Sequence, residues 1–266
     1  MTAIITIKNG KKVVSNGMNE EKVLLDGIDL TINKGDFITV LGGNGAGKST
    51  LFNTIAGTIQ LSQGSIAFKE RNITKETEEK RASFLSRVFQ DPKMGTAPRM
   101  TVAENLLLAQ KRGKKRPLRL RNLKNQRETF YQLCQEVGNG LEQHLDTPAG
   151  ELSGGQRQAL SLLMATIEAP ELLLLDEHTA ALDPKTAKSL MQLTNRRITE
   201  QHLTCLMITH RMEDALNYGN RLIVLQKGRI VKDLSKEEKE QLSLADLLQF
   251  FEEVLDLFLI TDCFSF

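Results

Sequence analysis

Apolar residues in this chain fall in short runs, and their spacing predicts strands first, helices in the middle and strands again. Thr2-Ala3-Ile4-Ile5-Thr6-Ile7 has the apolar, β-branched character of a strand. The polar segment 8–21, with Gly10 and Gly17, predicts a loop or hairpin. Val23-Leu24-Leu25 and Asp29-Leu30-Thr31-Ile32 predict two short strands around an Asp26-Gly27 turn. Asn33-Lys34-Gly35-Asp36 reads as another turn, leading into the apolar β-type run Phe37-Ile38-Thr39-Val40-Leu41. Gly64-Ser65-Ile66-Ala67-Phe68 predicts a further strand. The N-terminal third thus combines an antiparallel β-layer with the strand at 37–41.

After Val88-Phe89 and Gln90-Asp91-Pro92 the pattern changes. Residues 101–167 are mostly helical by periodicity, broken at Pro117, at 138–140 and at 148–150. They predict a helical subdomain, about 91–160, inserted in an α/β core. A second α/β section follows, with the buried-strand run Leu172-Leu173-Leu174-Leu175 and the run Thr204-Cys205-Leu206-Met207-Ile208. Lys227-Gly228 predicts a hairpin turn between 221–226 and 229–232. Residues 243–260 have the pattern of an amphipathic helix, within a helical tail of about 235–266.

Composition changes this picture little. The 266 residues, 40% hydrophobic and 26% charged, can bury a substantial core as one large domain or two small ones. The net charge of +2 implies no global attraction to nucleic acid. Cys134, Cys205 and Cys263 are odd in number and far apart, a pattern that fits neither a disulfide framework nor a metal site and suits a reducing cytosol. No signal-peptide pattern opens the sequence. No apolar run approaches the roughly 18 residues of a membrane span.

The chemistry is concentrated in Gly42-Gly43-Asn44-Gly45-Ala46-Gly47-Lys48-Ser49-Thr50. This is the spacing of a phosphate-binding loop, and the strand before it and the helical stretch 49–56 after it, ending at Gly57, are the context the motif requires. Glycines let backbone N–H groups approach phosphate oxygens, and the new helix aims its positive end at the same anion. Lys48 supplies a point charge for the β- and γ-phosphates of a nucleotide, and Ser49 a hydroxyl for Mg²⁺. Further on, Asp176 and Glu177 close an apolar run. Adjacent residues of a strand point to different places, so Asp176 can hold Mg²⁺ through water while Glu177 polarises a water at the γ-phosphate. Leu152-Ser153-Gly154-Gly155-Gln156 precedes the helical run 157–167 and forms a second candidate anion site at a helix start. An ordinary N-cap with a glycine turn would explain Ser153 but not the Gly-Gly-Gln that follows.

With these motifs together, the chain resembles the ATP-binding subunit of an ABC transporter over nearly its whole length. The resemblance implies an ABC-type P-loop core with an antiparallel β-subdomain and an inserted helical subdomain. It equates 42–49 with Walker A, Leu175-Asp176-Glu177 with Walker B and 152–156 with the ABC signature. Gln90 corresponds to the Q-loop glutamine, implying a Mg²⁺ contact and a hinge to a permease. Ala181-Leu182-Asp183 corresponds to the D-loop, and His210, after Met207-Ile208-Thr209, to the switch histidine at the γ-phosphate. ATP and Mg²⁺ are the implied cofactors. A head-to-tail homodimer is implied too, with residues 153–156 of one copy closing the ATP site of the other.

Two departures stand out. No aromatic residue precedes Phe37, so the stacking partner that many cassettes offer adenine is missing, and the nearest matching position is Val13 or Val14. His178 stands where the family commonly has proline. The run 176–186, and 87–92 with Gly95-Thr96-Ala97-Pro98, resemble a narrower group, the ATPases of binding-protein-dependent importers assigned to tryptophan or tyrosine. That implies a separate transmembrane permease, an extracytoplasmic substrate-binding protein and a peripheral place on the cytoplasmic face of the membrane. Alternatives are an exporter ATPase, or a soluble ABC ATPase acting in protein assembly or on nucleic acid. A DNA-repair type would need a coiled-coil insertion and a translation-factor type two cassettes, and neither is visible.

Residues 111–127 carry nine basic side chains, no acidic one and no aromatic. The pattern reads as a solvated helical face, with anionic lipid headgroups the better functional reading and nucleic acid not expected. The tail 244–266 is rich in Leu and Phe but carries Asp246, Glu252, Glu253, Asp256 and Asp262. It reads as a terminal helix packed on the core, and its acidic residues argue against an anionic membrane.

Overall fold

The computed structural model describes residues 2–15, 21–114 and 123–249. Two sheets form its frame. Strands β1 (Ala3–Ser15), β2 (Glu21–Asn33), β4 (Gln63–Phe68) and β5 (Arg71–Asn72) make an antiparallel sheet in the order β2-β1-β4-β5. Strands β3 (Phe37–Leu41), β6 (Leu85–Val88), β7 (Leu172–Asp176), β8 (Cys205–Ile208), β9 (Arg221–Gln226) and β10 (Arg229–Leu234) make the larger sheet, in the order β10-β9-β3-β8-β7-β6. All of its pairings are parallel except the β9–β10 hairpin.

The central strands read as unbroken apolar runs because both faces of this sheet are covered. Along β7, Leu172 and Leu174 enter one core with helix α1 (Lys48–Ala56), while Leu173 and Leu175 enter the other with the helical layer. All four are fully buried, which is worth about 1.5–3 kcal/mol for each side chain. The helical layer holds α3 (Val102–Ala109), α4 (Leu123–Gln135) and α5 (Gly154–Thr166), sharing a core with α6 (Pro184–Glu200). The short helices α2 (Glu78–Arg81), α7 (Met212–Asn217) and α8 (Lys236–Glu240) complete the named set. Asp183 as N-cap and Pro184 in the first turn are a helix-start signal that marks α6.

Two expectations change. The two short strands around Asp26-Gly27 are one bent strand, β2, whose register against β1 shifts between Gly10↔Ile28 and Lys12↔Leu25. Asp-Gly announces a residue that tolerates positive φ, and here Gly27, at φ 71°, serves a bulge rather than a reversal. The basic stretch is only in part a free cationic face at its described positions. Arg112 turns inward onto Ser86 Oγ and the Met164 carbonyl. Lys114 pairs with Glu168 at 2.8 Å, and Arg127 Nη1 with Asp146 Oδ1 at 2.7 Å. Lys111 and Lys124 remain exposed. In the tail, the backbone at 244–249 is helical and Leu247 is buried with Leu41, Ala215 and Leu222. The remainder of the tail reading, with Cys263, and the middle of the basic stretch lie outside the described residues.

Candidate active site

The phosphate-binding loop leaves the C-terminal end of β3 and turns into α1 at Gly47. Gly47 sits at φ 103°, and a Cβ there would lie 2.8 Å from the Leu24 carbonyl, so a larger residue would push the loop off β2. No side chain caps α1 and no acidic residue occupies its first turn. Its leading N–H groups therefore have no side-chain competitor for an anion. Lys48 is 8% exposed and donates from Nζ to the carbonyls of Gly42, at 2.7 Å, and Gly43, at 3.2 Å. The ammonium is thus held over the loop it belongs to. Gly43, Asn44, Gly45 and Ser49 are exposed, Gly42 and Thr50 half-buried, and Ala46 buried.

The second part lies at the ends of β8, which pairs with β3, and of β7, which pairs with β8. The Asp176 carboxylate receives Arg87 Nη2 at 2.6 Å. Glu177 leaves the strand at φ 44°, a left-handed turn that separates its side chain from the strand direction. Its N–H donates to the Ile208 carbonyl at 3.1 Å, and its own carbonyl accepts from Ala180 N–H at 2.9 Å. These bonds fix the turn against β8, where His210 Nδ1 lies 3.8 Å from Glu177 Oε2. His210 is about half exposed and so faces the open side of the site.

The signature segment is elsewhere. Ser153 Oγ accepts from Gln156 N–H, and Gln156 Oε1 accepts from Ser153 N–H, so α5 opens with a capping box. The cap thus accounts for Gln156 as well as Ser153, contrary to the sequence expectation. A Cβ on Gly155 would lie 2.6 Å from Thr186 Cγ2, so the start of α5 packs against the start of α6. There Asp183 caps α6 by accepting from Thr186 N–H. Hydrogen bonds from the Thr186 side chain, then its backbone, hold the Asp183 carboxyl below the usual carboxylate range. Among the described residues, no hydrogen bond or ion pair joins 153–156 to 42–50. Within one copy, Lys48, Asp176, Glu177 and His210 share the C-terminal ends of three adjacent strands, and Ser153, Gly154, Gly155 and Gln156 stand apart with Asp183.

The ABC transporter family model matches residues 25–180. The chain belongs to that family. It is an ATP-binding cassette that binds and hydrolyses ATP. It is 43% identical to a tyrosine transport ATP-binding protein of Clostridioides difficile, over 94% of this chain and 99% of the relative. It is 32% identical to a bacitracin export ATP-binding protein of Halalkalibacterium halodurans, over 93% of this chain and 95% of that one. Among solved structures it is similar to the dimeric cassette MJ0796 in a post-hydrolysis state bound to ADP and Pi, with a TM-score of 0.75. Identity there is 26%, over 88% of this chain and 99% of the other.

In this cassette His178 does not face the site. It is buried, with Nε2 3.0 Å from Thr194 Oγ1, and burial holds its pKa down at about 4. Gln90 is exposed just beyond β6, and Asp91 caps the 3₁₀ turn Pro92–Met94 that follows. Gln158, 1% exposed on α5, donates to the Phe89 carbonyl at 2.9 Å and so ties the signature helix to the residue before Gln90. Sequence reasoning gave no site role to Arg87, Gln158 or Asn53, the last of which accepts from Arg87 Nη1 at 2.7 Å. The available signal was a charged residue within the otherwise buried strand Leu85-Ser86-Arg87-Val88.

The donor set suits Mg²⁺. Ser49, Asp176 and Gln90 offer only oxygen ligands of the kind a hard cation takes. No cluster of three or more His, Cys, Asp or Glu side chains able to hold a metal occurs among the described residues. That matches a cation held by one protein carboxylate, a hydroxyl and substrate phosphates rather than by a protein cage.

Proposed function

We propose that this cassette is the ATPase of an importer for an amino acid or a similar small solute, driving a separate permease from the cytoplasmic face of the membrane. The likeness to a tyrosine transport ATP-binding protein along essentially both full lengths carries the reading. What supports a docked permease is a groove of about 290 Å³ between the core and the helical layer, the latter assigned to about 91–160. Leu85, Phe89, Leu108 and Met164 line it, together with Met94, which is 70% exposed. Exposed apolar surface next to the nucleotide site is where a permease segment would feel ATP turnover. No helix among the described residues is long and apolar enough to cross a membrane.

In this reading the backbone of 42–47, with Ser49 and Thr50 at the helix start, cradles the phosphates. Lys48 offsets their charge. Ser49, Asp176 and Gln90 would hold Mg²⁺, which when bound would neutralise charge on the phosphates. Glu177 orients and deprotonates the attacking water, and His210 donates to the γ-phosphate. Two copies meet head to tail, so that Ser153, Gly154, Gly155 and Gln156 of one close the site of the other, with Asp183 at the seam. An extracytoplasmic binding protein delivers the solute.

The test is uptake. Cells lacking this chain are supplied with the wild type or with Glu177→Gln and given labelled tyrosine, tryptophan and other amino acids. Uptake of at least one is expected only with the wild type. Equal uptake of every solute in both strains overturns the importer reading.

A further inference from the structure

The geometry points to Arg87 as an internal cation that holds the Asp176 carboxylate before Mg²⁺ arrives and opposes the metal's entry. Arg87 Nη2 lies 2.6 Å from Asp176 Oδ2, and both side chains are largely buried, at 10% and 15% exposure. Nη1 lies 2.7 Å from Asn53 Oδ1. The guanidinium carbon sits 4.6 Å from the centre of the Phe89 ring. A strand end, a helix and an aromatic face therefore grip the group from different sides, which removes the rotamer freedom that makes exposed ion pairs weak.

The place it occupies is what matters. Asn53 lies one helical turn after Ser49, on the same face of α1. Arg87 thus spans from the hydroxyl-bearing face of α1 to Asp176, the two sides between which a nucleotide-bound cation would be held. β6 brings it there, because parallel pairing sets Arg87 opposite Leu174, two residues before Asp176. A guanidinium is a permanent cation. It makes the carboxylate tolerable in a partly buried site without metal, and the same charge raises the free energy of a divalent ion beside it. The two effects have one consequence. Removing Arg87 destabilises the metal-free chain and makes the site more eager for metal. A residue that merely oriented Asp176 would do the opposite, since losing such a contact weakens metal binding. Arg87 also lines the groove beside Phe89, so an occupant of the groove touches the cation that guards the metal site.

This inference rests on the reading of Asp176 as the metal-side carboxylate, and the experiment separates the two. Full-length protein in a Glu177→Gln background, where turnover is blocked, is titrated with Mg²⁺ at fixed fluorescent ATP analogue. The half-saturating Mg²⁺ concentration is the readout, with nucleotide-free thermal unfolding alongside. With Arg87→Met, half-saturation is expected to fall by roughly tenfold, the scale of one neighbouring unit charge at a partly buried site. The nucleotide-free unfolding temperature should drop as well. Arg87→Lys keeps the charge but not the fork that reaches both Asn53 and Asp176, so its half-saturation should fall less than that of Arg87→Met. If Arg87→Met does not fold, Arg87→Gln gives the same reading. An unchanged or raised Mg²⁺ requirement in the neutral variant overturns the inference. Asp176→Asn serves as the separate control: if it leaves the Mg²⁺ requirement intact, the assignment of Asp176 fails instead.

Discussion

His210 Nδ1 and Glu177 Oε2 lie 3.8 Å apart across the ends of adjacent strands β8 and β7. The pair is set by the left-handed turn at Glu177 and by its N–H bond to Ile208, two residues before His210. A carboxylate and an imidazole thus lie side by side at the strand ends. Glu177→Gln keeps the size of the side chain and removes its basicity. It should leave ATP binding in place and slow hydrolysis on the order of 10²–10⁴-fold. Phosphate release in steady state measures this, and activity within a factor of two of the wild type would refute Glu177 as the base.

Lys48 carries the only charged side chain of the loop 42–50, and its ammonium rests on the Gly42 and Gly43 carbonyls. Lys48→Ala should weaken Mg-ATP binding by roughly ten- to a hundredfold, the worth of one or two charge-assisted hydrogen bonds. Titration calorimetry reads it directly. An unchanged affinity would remove the loop from the nucleotide site.

Ser153 and Lys48 stand at separate helix starts within one copy. If both act on one ATP, a second copy must supply Ser153. Glu177→Gln protein should then dimerise with ATP at high protein concentration and low salt, because binding persists while hydrolysis is blocked. Adding Ser153→Arg should abolish the dimer by placing bulk and charge where the helix start approaches phosphate. Light scattering tests this, and a monomer that hydrolyses ATP at full rate under those conditions would sink the shared site.

His178 gives a pH prediction. Thr194 Oγ1 donates to the Leu190 carbonyl at 2.8 Å, so toward His178 it accepts, and the ring proton sits on Nε2. Burial lowers the folded pKa to about 4 from the ordinary 6.5. Between those values the unfolded chain binds a proton that the folded chain excludes, so this contribution costs stability as pH falls from about 6.5 towards 4 and is absent above 6.5. Unfolding temperatures measured across that window should slope less in His178→Leu than in the wild type. Identical slopes would show that some other group sets the acid sensitivity.

Much of this molecule was legible along the chain because its signals are local. A phosphate loop is one strand end, one glycine turn and one helix start, all within the run 37–56. The same holds for the β9–β10 hairpin at Lys227-Gly228 and for the apolar run of β7. Residue types at short spacing decide these, and nothing distant can change which atoms they offer. Asp26-Gly27 marks the limit, since a residue tolerant of positive φ serves a bulge as well as a turn and only the partner strand distinguishes them.

The tertiary structure decided the partnerships. Arg87 and Asp176 are far apart in sequence, and they meet because β6 and β7 pair in parallel with Arg87 opposite Leu174. A slip of one residue would turn Arg87 to the opposite face of the sheet. His178 follows Glu177 directly, yet it enters the core under α6 while Glu177 faces the opening, because a left-handed turn at Glu177 sends consecutive side chains in different directions. The sequence by itself determined which chemical groups this cassette carries. Strand register and helix packing determined which of them share a site, because those contacts arise only when distant segments bury their apolar faces together.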